Sequence, residues 1–148
     1  MDVIGKENYS LDVEGLEISI KKEEKKSLRP HIAKTLENHG VVEIPCLTSV
    51  SIKKLIMEER SGALPNELPD DFYELLRHSA KKMDVPKERE ALRRLAADLV
   101  RIRIEKIFKI SLQANMSKFK IQPEERVFLL NLTTLMGRFK KDLLGGEL

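Results

Sequence analysis

Residues 57–73 read MEERSGALPNELPDDFY and separate two helical patterns. The first pattern ends in two glutamates and an arginine, and two prolines spaced four apart then lead into Asp70 and Asp71. Pro69 suits the first turn of a helix, where a missing N–H costs nothing, and acidic residues there interact favourably with the helix dipole. The stretch therefore predicts a structural corner between two helices, the second of which begins at Pro69.

The acids of this corner also allow a second interpretation, a metal-dependent hydrolase. The candidate ligands are Glu58, Glu59, Asp70 and Asp71. They would have to converge on a cation, but no ExxE or HxxE spacing supplies ligands from facing helices. The sequence also lacks HExxH, phosphate-binding-loop, dinucleotide-binding and nucleophile-elbow motifs. We therefore predict no catalytic residue, no metal site and no cofactor.

The composition limits the class of protein. The chain has 148 residues, of which 41% are hydrophobic and 34% charged, so it can bury one core of moderate size. No stretch approaches the roughly 20 apolar residues of a membrane span, and no signal-peptide pattern is present. We expect a soluble, cytoplasmic protein without a membrane partner. Free cysteines are usually buried, so we expect Cys46 to be a packed residue.

The first 47 residues show a strand, helix, strand order. LEISI at 16–20 alternates apolar and polar residues, and VVEI at 41–44 is a β-branched run. Between them lies a helical pattern that we expect Ser27 to cap and Gly40 to end. We predict that residues 1–47 form a small α+β, β-rich domain.

From Thr48 onward the apolar period is that of helices. We predict four of them: a first capped by Thr48, Ser49 or Ser51 and ended by Gly62, a second from Pro69 to Met83, a third from Pro86 to Lys120, and a fourth from Pro123 to Leu144. The predicted fold class is mainly α, with a helical bundle domain at residues 48–148 preceded by the small domain.

The third and fourth predicted helices carry more apolar residues than one face can hold. A helix that is apolar on several sides must be covered on several sides. A generous internal core is one explanation, and a subunit interface is the other. The candidate interface residues are Leu99, Ile102, Phe108, Leu112, Phe128, Leu132 and Phe139.

Basic residues on the third predicted helix raise the alternative of a helical DNA-binding regulator. They are Arg89, Arg93, Arg94, Arg101, Arg103, Lys106 and Lys109. Acidic residues interrupt the run and form helix-surface pairs with several of them. The chain carries a net charge of only +3, far from that of a dedicated nucleic-acid binder. Direct DNA contact is therefore a possible but weak property.

The stretch SVSIKKLIMEERSGALPNELPDDFYELL at 49–76 resembles the opening of the helical domain of GINS subunits, the scaffold proteins of the replication fork. A helix ends in an acid-plus-arginine segment, and a turn bearing Leu and Pro leads into an aromatic-started helix. The residues in that pattern are Glu59, Arg60, Leu64, Leu68, Pro69, Phe72 and Tyr73. A long basic-apolar helix and a final helix follow, so the resemblance covers about 48–144.

The resemblance implies a non-enzymatic scaffold in DNA replication. Because the small domain precedes the helical one, the chain resembles the archaeal subunit class related to Psf-two and Psf-three. The resemblance implies a heterotetramer with two copies of a companion GINS subunit of the opposite domain order. It further implies a bridge in the archaeal, nucleoid-associated replisome from the MCM helicase to a RecJ-like nuclease homologue and to primase or polymerase.

Overall fold

The computed structural model of the chain describes residues 1–13, 15–112 and 119–144. The chain forms two compact units. The first consists of Met1–Leu47 and Asp70–Lys82, and the second of Thr48–Pro69 and Met83–Leu148. A helix from the middle of the chain thus belongs to the N-terminal unit.

The first unit contains two small antiparallel sheets. Strands β1 (Asp2–Gly5), β4 (Lys25–Ser27) and β5 (Val42–Glu43) form one sheet in the order β4-β1-β5, and β2 (Tyr9–Val13) pairs with β3 (Leu16–Ile20). The registers are Val3 opposite Lys26 and Ile4 opposite Glu43 in the first sheet, and Leu11 opposite Ile18 in the second. Helix α1 (Pro30–Asn38) lies between β4 and β5 in the chain.

The core of this unit combines residues of both sheets and of α1. It consists of Met1, Val3, Ile18, Ile20, Ala33, Leu36, Val41, Val42 and Ile44. Gly5 is required where β1 passes close to the chain after β3, because a Cβ there would lie 2.1 Å from the Lys21 carbonyl oxygen. Gly40, after α1, has φ of +76°, as glycine at the end of a helix often does.

The predicted strand at 16–20 is confirmed, and the strand predicted at 41–44 is reduced to Val42–Glu43. The sequence interpretation missed β1, β2 and β4. Ser27 was expected to cap α1, but it lies in β4, and Arg29 precedes the helix without a side-chain cap. Cys46, expected to be packed, is exposed. The prediction that Cys46 is packed was therefore wrong.

Two helices flank the corner of residues 57–73. Helix α2 (Ser49–Arg60) begins with a capping box between Thr48 and Ser51, so Thr48 is the N-cap among the three predicted candidates. Helix α3 runs from Phe72 to Lys82, so the prediction that it begins at Pro69 was wrong. Asp71 has φ of +55°, which is not helical, and its carboxylate lies 2.6 Å from the Met1 nitrogen.

Ion pairs hold α3 to α1 within the first unit. Glu74 of α3 accepts hydrogen bonds from Lys34 of α1 and from Arg77, and these lower the pKa of Glu74 to about 2. Glu37 of α1 accepts a hydrogen bond from Lys82 of α3. Burial raises the pKa of Glu37, but the hydrogen bonds from Lys82 and the Ile44 amide outweigh it and leave that pKa lowered.

The second unit is built from α2, α4 (Pro86–Ser111) and α5 (Pro123–Leu143). Contacts between α4 and α5 progress from Arg103 with Glu125 to Ser111 with Met136, so these helices run in the same direction. The third helix was predicted to reach Lys120, but it ends at Ser111. Residues 113–118 of that prediction lie outside the described residues.

The fold class is mainly α with a small strand-containing unit at the N-terminus, as predicted. The described residues form five helices, four of them after Thr48. In those residues no helix is both long and apolar enough to span a membrane. The proposed boundary at residue 47 stays a prediction, because α3 groups with the first unit although it lies in the predicted helical domain.

Candidate functional site

A buried arginine joins three segments of the second unit. Arg103 of α4 is 1% exposed, and its Nη1 donates to Glu59 Oε2 at the end of α2 over 2.8 Å. Its Nε and Nη2 donate to the two carboxylate oxygens of Glu125, in the first turn of α5. This is a bidentate pair, the strongest geometry available to an arginine and a carboxylate. The C-terminal end of α2 and the N-terminal end of α5 are therefore both fixed to α4.

A lysine on the next turn of α4 completes the group. Lys106 Nζ donates to Glu59 Oε1 over 2.9 Å and to the Leu64 carbonyl over 2.9 Å. Arg103 Nη1 also donates to the Asn66 carbonyl over 2.8 Å. We call Glu59, Arg103, Lys106 and Glu125 the ion network. Because it includes backbone carbonyls of residues 61–69, it also holds the corner loop against α4.

The ion network balances its charges. It contains two carboxylates and two cations, and all four residues are buried. Burying an isolated charge costs several kcal/mol or more, whereas a paired and hydrogen-bonded set offsets most of that cost. The backbone N–H of Gln122 also donates over 2.9 Å to Glu125 Oε2, the oxygen that accepts from Arg103 Nη2. The network therefore specifies how α2, α4 and α5 meet.

The ion network changes how the basic residues of α4 can be interpreted. Arg103 and Lys106 were candidates for DNA contact, but both are buried and bound to carboxylates. Arg89 donates to the Met83 carbonyl, and Arg94 and Arg101 pair with Glu90 and Asp98 on the same helix. Of the seven candidates, Arg93, Arg94, Arg101 and Lys109 remain exposed.

The acids of the corner do not converge on one point. Glu59 lies in the ion network, Asp71 lies beside the Met1 nitrogen, and Glu58 and Asp70 are exposed. Across residues 1–13, 15–112 and 119–144, no group of three or more His, Cys, Asp or Glu side chains has an arrangement that could hold a metal ion.

Helix α5 has an apolar surface that the described chain leaves uncovered. Its buried residues are Glu125 and Leu129, both in the first two turns. Beyond them, Leu135, Phe139 and Leu143 are 62–68% exposed and lie four residues apart, so they share one side of the helix. Single exposed apolar residues are ordinary, but a continuous row marks an interaction surface.

The last turns of α4 add to this apolar surface. Phe108 and Leu112 are exposed and four residues apart, and Ser111 beside them contacts Met136 of α5. Of the interface candidates, Phe108, Leu112, Phe128 and Phe139 are exposed, Ile102 and Leu132 are half-buried, and Leu99 is fully buried. Leu99 is therefore part of the internal core and not of an accessible surface.

The residues of the corner motif have separate structural tasks. Leu68 and Phe72 are buried, and the carbonyl oxygens of Leu68 and Pro69 accept hydrogen bonds from the Gln122 side chain. Phe72 and Tyr73 form an edge-to-face pair with ring centroids 5.3 Å apart. Arg60 and Leu64 are exposed. The motif thus positions the corner, and its buried acid, Glu59, belongs to the ion network.

Sequence reasoning missed the ion network. Arg103 and Glu125 are 22 residues apart, and an arginine within an apolar helical stretch has the same appearance whether it faces solvent or a buried acid. One signal was available: Arg103 and Lys106 lie on the same side of the helix as Leu99, which the apolar spacing places in the core. Cations among core positions indicate buried partners.

The comparison with protein families agrees with this architecture. The family model for the GINS complex protein helical bundle domain (Sld5) matches residues 46–144. The chain belongs to the GINS family. No curated protein matches the chain. The GINS match includes α2, the corner, the ion network and all of α5. The ion network and the exposed apolar surface of the second unit therefore both lie within the family domain. A GINS subunit works in a DNA replication complex with partner GINS subunits.

Proposed function

We propose that this chain is a non-enzymatic scaffold subunit of the GINS complex and that it assembles through the exposed apolar surface of α4 and α5. The observation that carries the proposal is the row Leu135, Phe139 and Leu143, which no described part of the chain covers. Covering such a row with a partner helix removes apolar area from water at about 25 cal/mol per Å². The residues of this proposed interface are Phe108, Leu112, Phe128, Leu132, Leu135, Phe139 and Leu143.

The companion in this proposal is a GINS subunit of the opposite domain order, in a heterotetramer with two copies of each. The strand-containing unit of this chain precedes most of the helical domain, which supports the class related to Psf-two and Psf-three. The family match lies on the helical bundle, so the domain order alone carries this assignment. The chain is rich in Lys, Arg and Glu, a composition associated with proteins of high-temperature organisms.

The assembled complex would bridge the MCM helicase to a RecJ-like nuclease homologue and to primase or polymerase. In this proposal the small N-terminal unit is a docking module for other proteins. Residues 1–47 carry seven basic and nine acidic residues, a net charge of −2, while residues 48–148 carry twenty and fifteen, a net charge of +5. Because the two parts have net charges of opposite sign, each is expected to attract a different kind of partner.

The test is affinity purification of the tagged full chain from its native cells. We expect a second small subunit with a GINS helical domain to co-purify, together with helicase components. Phe139→Glu should reduce recovery of the second subunit at least about tenfold, because a buried unpaired carboxylate costs several kcal/mol.

The matched control is Thr134→Glu. It adds the same carboxylate to the same helix at an exposed position about 140° around the axis from Phe139. We expect the control to recover the second subunit as the wild type does. Recovery of the wild-type chain as a monomer, or equal recovery with Phe139→Glu, would contradict the proposed interface.

A further inference from the structure

A second interaction surface lies between α2 and α4, where the two helices begin. An open groove of about 530 Å³ is lined there by Lys53 of α2 and by Lys87, Glu90, Ala91, Arg94 and Leu95 of α4. Ala91 and Leu95 give the lining its apolar part, and three other lining residues, Lys53, Lys87 and Arg94, are cations. Glu90 is the one carboxylate in the lining, and Arg94 Nε pairs with it over 3.1 Å.

The other two cations of the groove have no acidic partner within the part of the chain that the structure describes. Neither Lys53 nor Lys87 forms an ion pair there, and both are exposed. The lining therefore keeps a net charge of +2 once Glu90 has been counted against Arg94. A partner with negative charge would be attracted to this groove and would suffer no repulsion from an unpaired carboxylate.

Exposed apolar residues extend the groove along α2. Val50 and Met57 are 75% and 73% exposed, and they lie three residues before and four residues after Lys53. Residues at these spacings are neighbours on a helix surface. A partner in the groove could thus place apolar side chains on Val50, Met57 or Leu95 and acidic side chains against the lysines.

We propose that this α2–α4 groove binds an acidic peptide segment of another protein that carries at least one large apolar side chain. The apolar lining residues favour a peptide over a nucleic-acid duplex, which proteins contact mainly through its phosphates and sugars. This proposal does not depend on the apolar surface of α5.

The probe for this test is a phage-displayed library of random 12-residue peptides. It is selected on the purified full chain, in the assembly in which it purifies, after depletion on the double variant Lys53→Glu, Lys87→Glu. We expect the surviving peptides to have a net negative charge and to contain Leu, Ile, Phe or Met. No survivors, or survivors that are neutral or basic, would overturn the proposal.

A fluorescein-labelled survivor then measures affinity by anisotropy. We expect binding to the double variant to be at least about tenfold weaker than to the wild type, and the neutral variant Lys53→Gln, Lys87→Gln to lie between them. The matched control Lys6→Glu, Lys22→Glu makes the same charge change at exposed lysines of the first unit and should bind as the wild type does. Equal binding by all variants would overturn the proposal.

The same experiment separates a peptide from a nucleic acid. A labelled 20-base-pair duplex is added to each variant in parallel. Duplex binding that the double variant loses, without any acidic peptide surviving the selection, would show a nucleic-acid site and overturn the peptide proposal. Circular dichroism confirms that each variant keeps its helix content, so that loss of binding cannot come from loss of the fold.

Discussion

At the scale of single residues, Arg103 is the most constrained side chain of the second unit. It is bound to two carboxylates from two different segments, and its exposed fraction is 1%. A buried ion pair adds little net stability compared with apolar side chains of the same shape, but removal of one member leaves its partners charged and buried. Arg103 is therefore a residue whose loss should be costly although its presence stabilises only modestly.

Arg103→Ala should destabilise the protein by about 3–5 kcal/mol, because Glu59 loses one of its two cations and Glu125 loses its bidentate partner. The measurement is urea unfolding followed by circular dichroism. The control is Arg101→Ala, two residues earlier on α4, which breaks a surface pair with Asp98 and should cost about 0–1 kcal/mol. Equal effects of the two substitutions would contradict the ion network.

At the scale of elements, α3 shows that a helix can pack with a part of the chain that is distant from it in sequence. Phe72 and Ser79 are buried, and Leu75 packs on the core of the first unit. The spacing of apolar residues within one helix does not say which neighbour covers them. Here Lys34 and Glu37 of α1 pair with Glu74 and Lys82 of α3 and determine the neighbour.

The Glu74 pair makes the packing of α3 on α1 dependent on pH. The hydrogen bond from Lys34, with that from Arg77, lowers the Glu74 pKa from 4.5 to about 2 in the folded protein. A carboxyl group with a lowered folded pKa stabilises the fold above its unfolded pKa, and this stabilisation disappears as the pH falls from about 4.5 to about 2.

Glu74→Gln should therefore reduce the free energy of unfolding at pH 7 by about 1 kcal/mol or less, as expected for a partly exposed pair. The difference from the wild type should shrink as the pH falls below 4.5 and vanish near pH 2. Urea unfolding at a series of pH values measures it. A difference that stays constant between pH 7 and pH 2 would assign the effect to packing and contradict the role of the charge.

Element boundaries and short strands mark where sequence reasoning failed in the fold. LEISI at 16–20 and the capped start of α2 at Thr48 carry strong local signals, and both are confirmed. In β4 the sequence is Lys-Lys-Ser, which has no apolar residue, and its strand conformation comes from pairing with β1. Tyr9, Leu11 and Val13 of β2 do alternate with polar residues, so that strand could have been recognised.

The same distinction between local and long-range signals applies to the candidate site. Phe128 and Phe139 were identified as interface candidates from apolar excess alone, and both are exposed. Leu99 belonged to the same apolar pattern but is buried, since helix periodicity does not distinguish the core from a partner surface. The partners of Arg103 lie 22 and 44 residues away, and no local spacing predicts such pairs.

At the scale of the whole molecule, the ion network and the exposed apolar surface of α5 have complementary roles. The ion network fixes how α2, the corner and the first turn of α5 meet α4. The remaining turns of α5 then extend with no buried residue among those described, and their apolar side chains remain exposed. A helix held at one end and exposed along most of its length is suited to pack against another subunit, which is the role we propose in the GINS complex.

Hydrogen exchange along α5 tests this central claim most directly. Deuterium uptake by residues 130–143 is compared between the isolated full chain and the purified assembly, with residues 92–99 of α4 as the internal reference. Because covering α5 should suppress its local opening, we predict that uptake across 130–143 slows by at least about tenfold in the assembly, while uptake across 92–99 changes much less. Equal uptake across 130–143 in the isolated chain and in the assembly would contradict the assignment of α5 as the subunit interface.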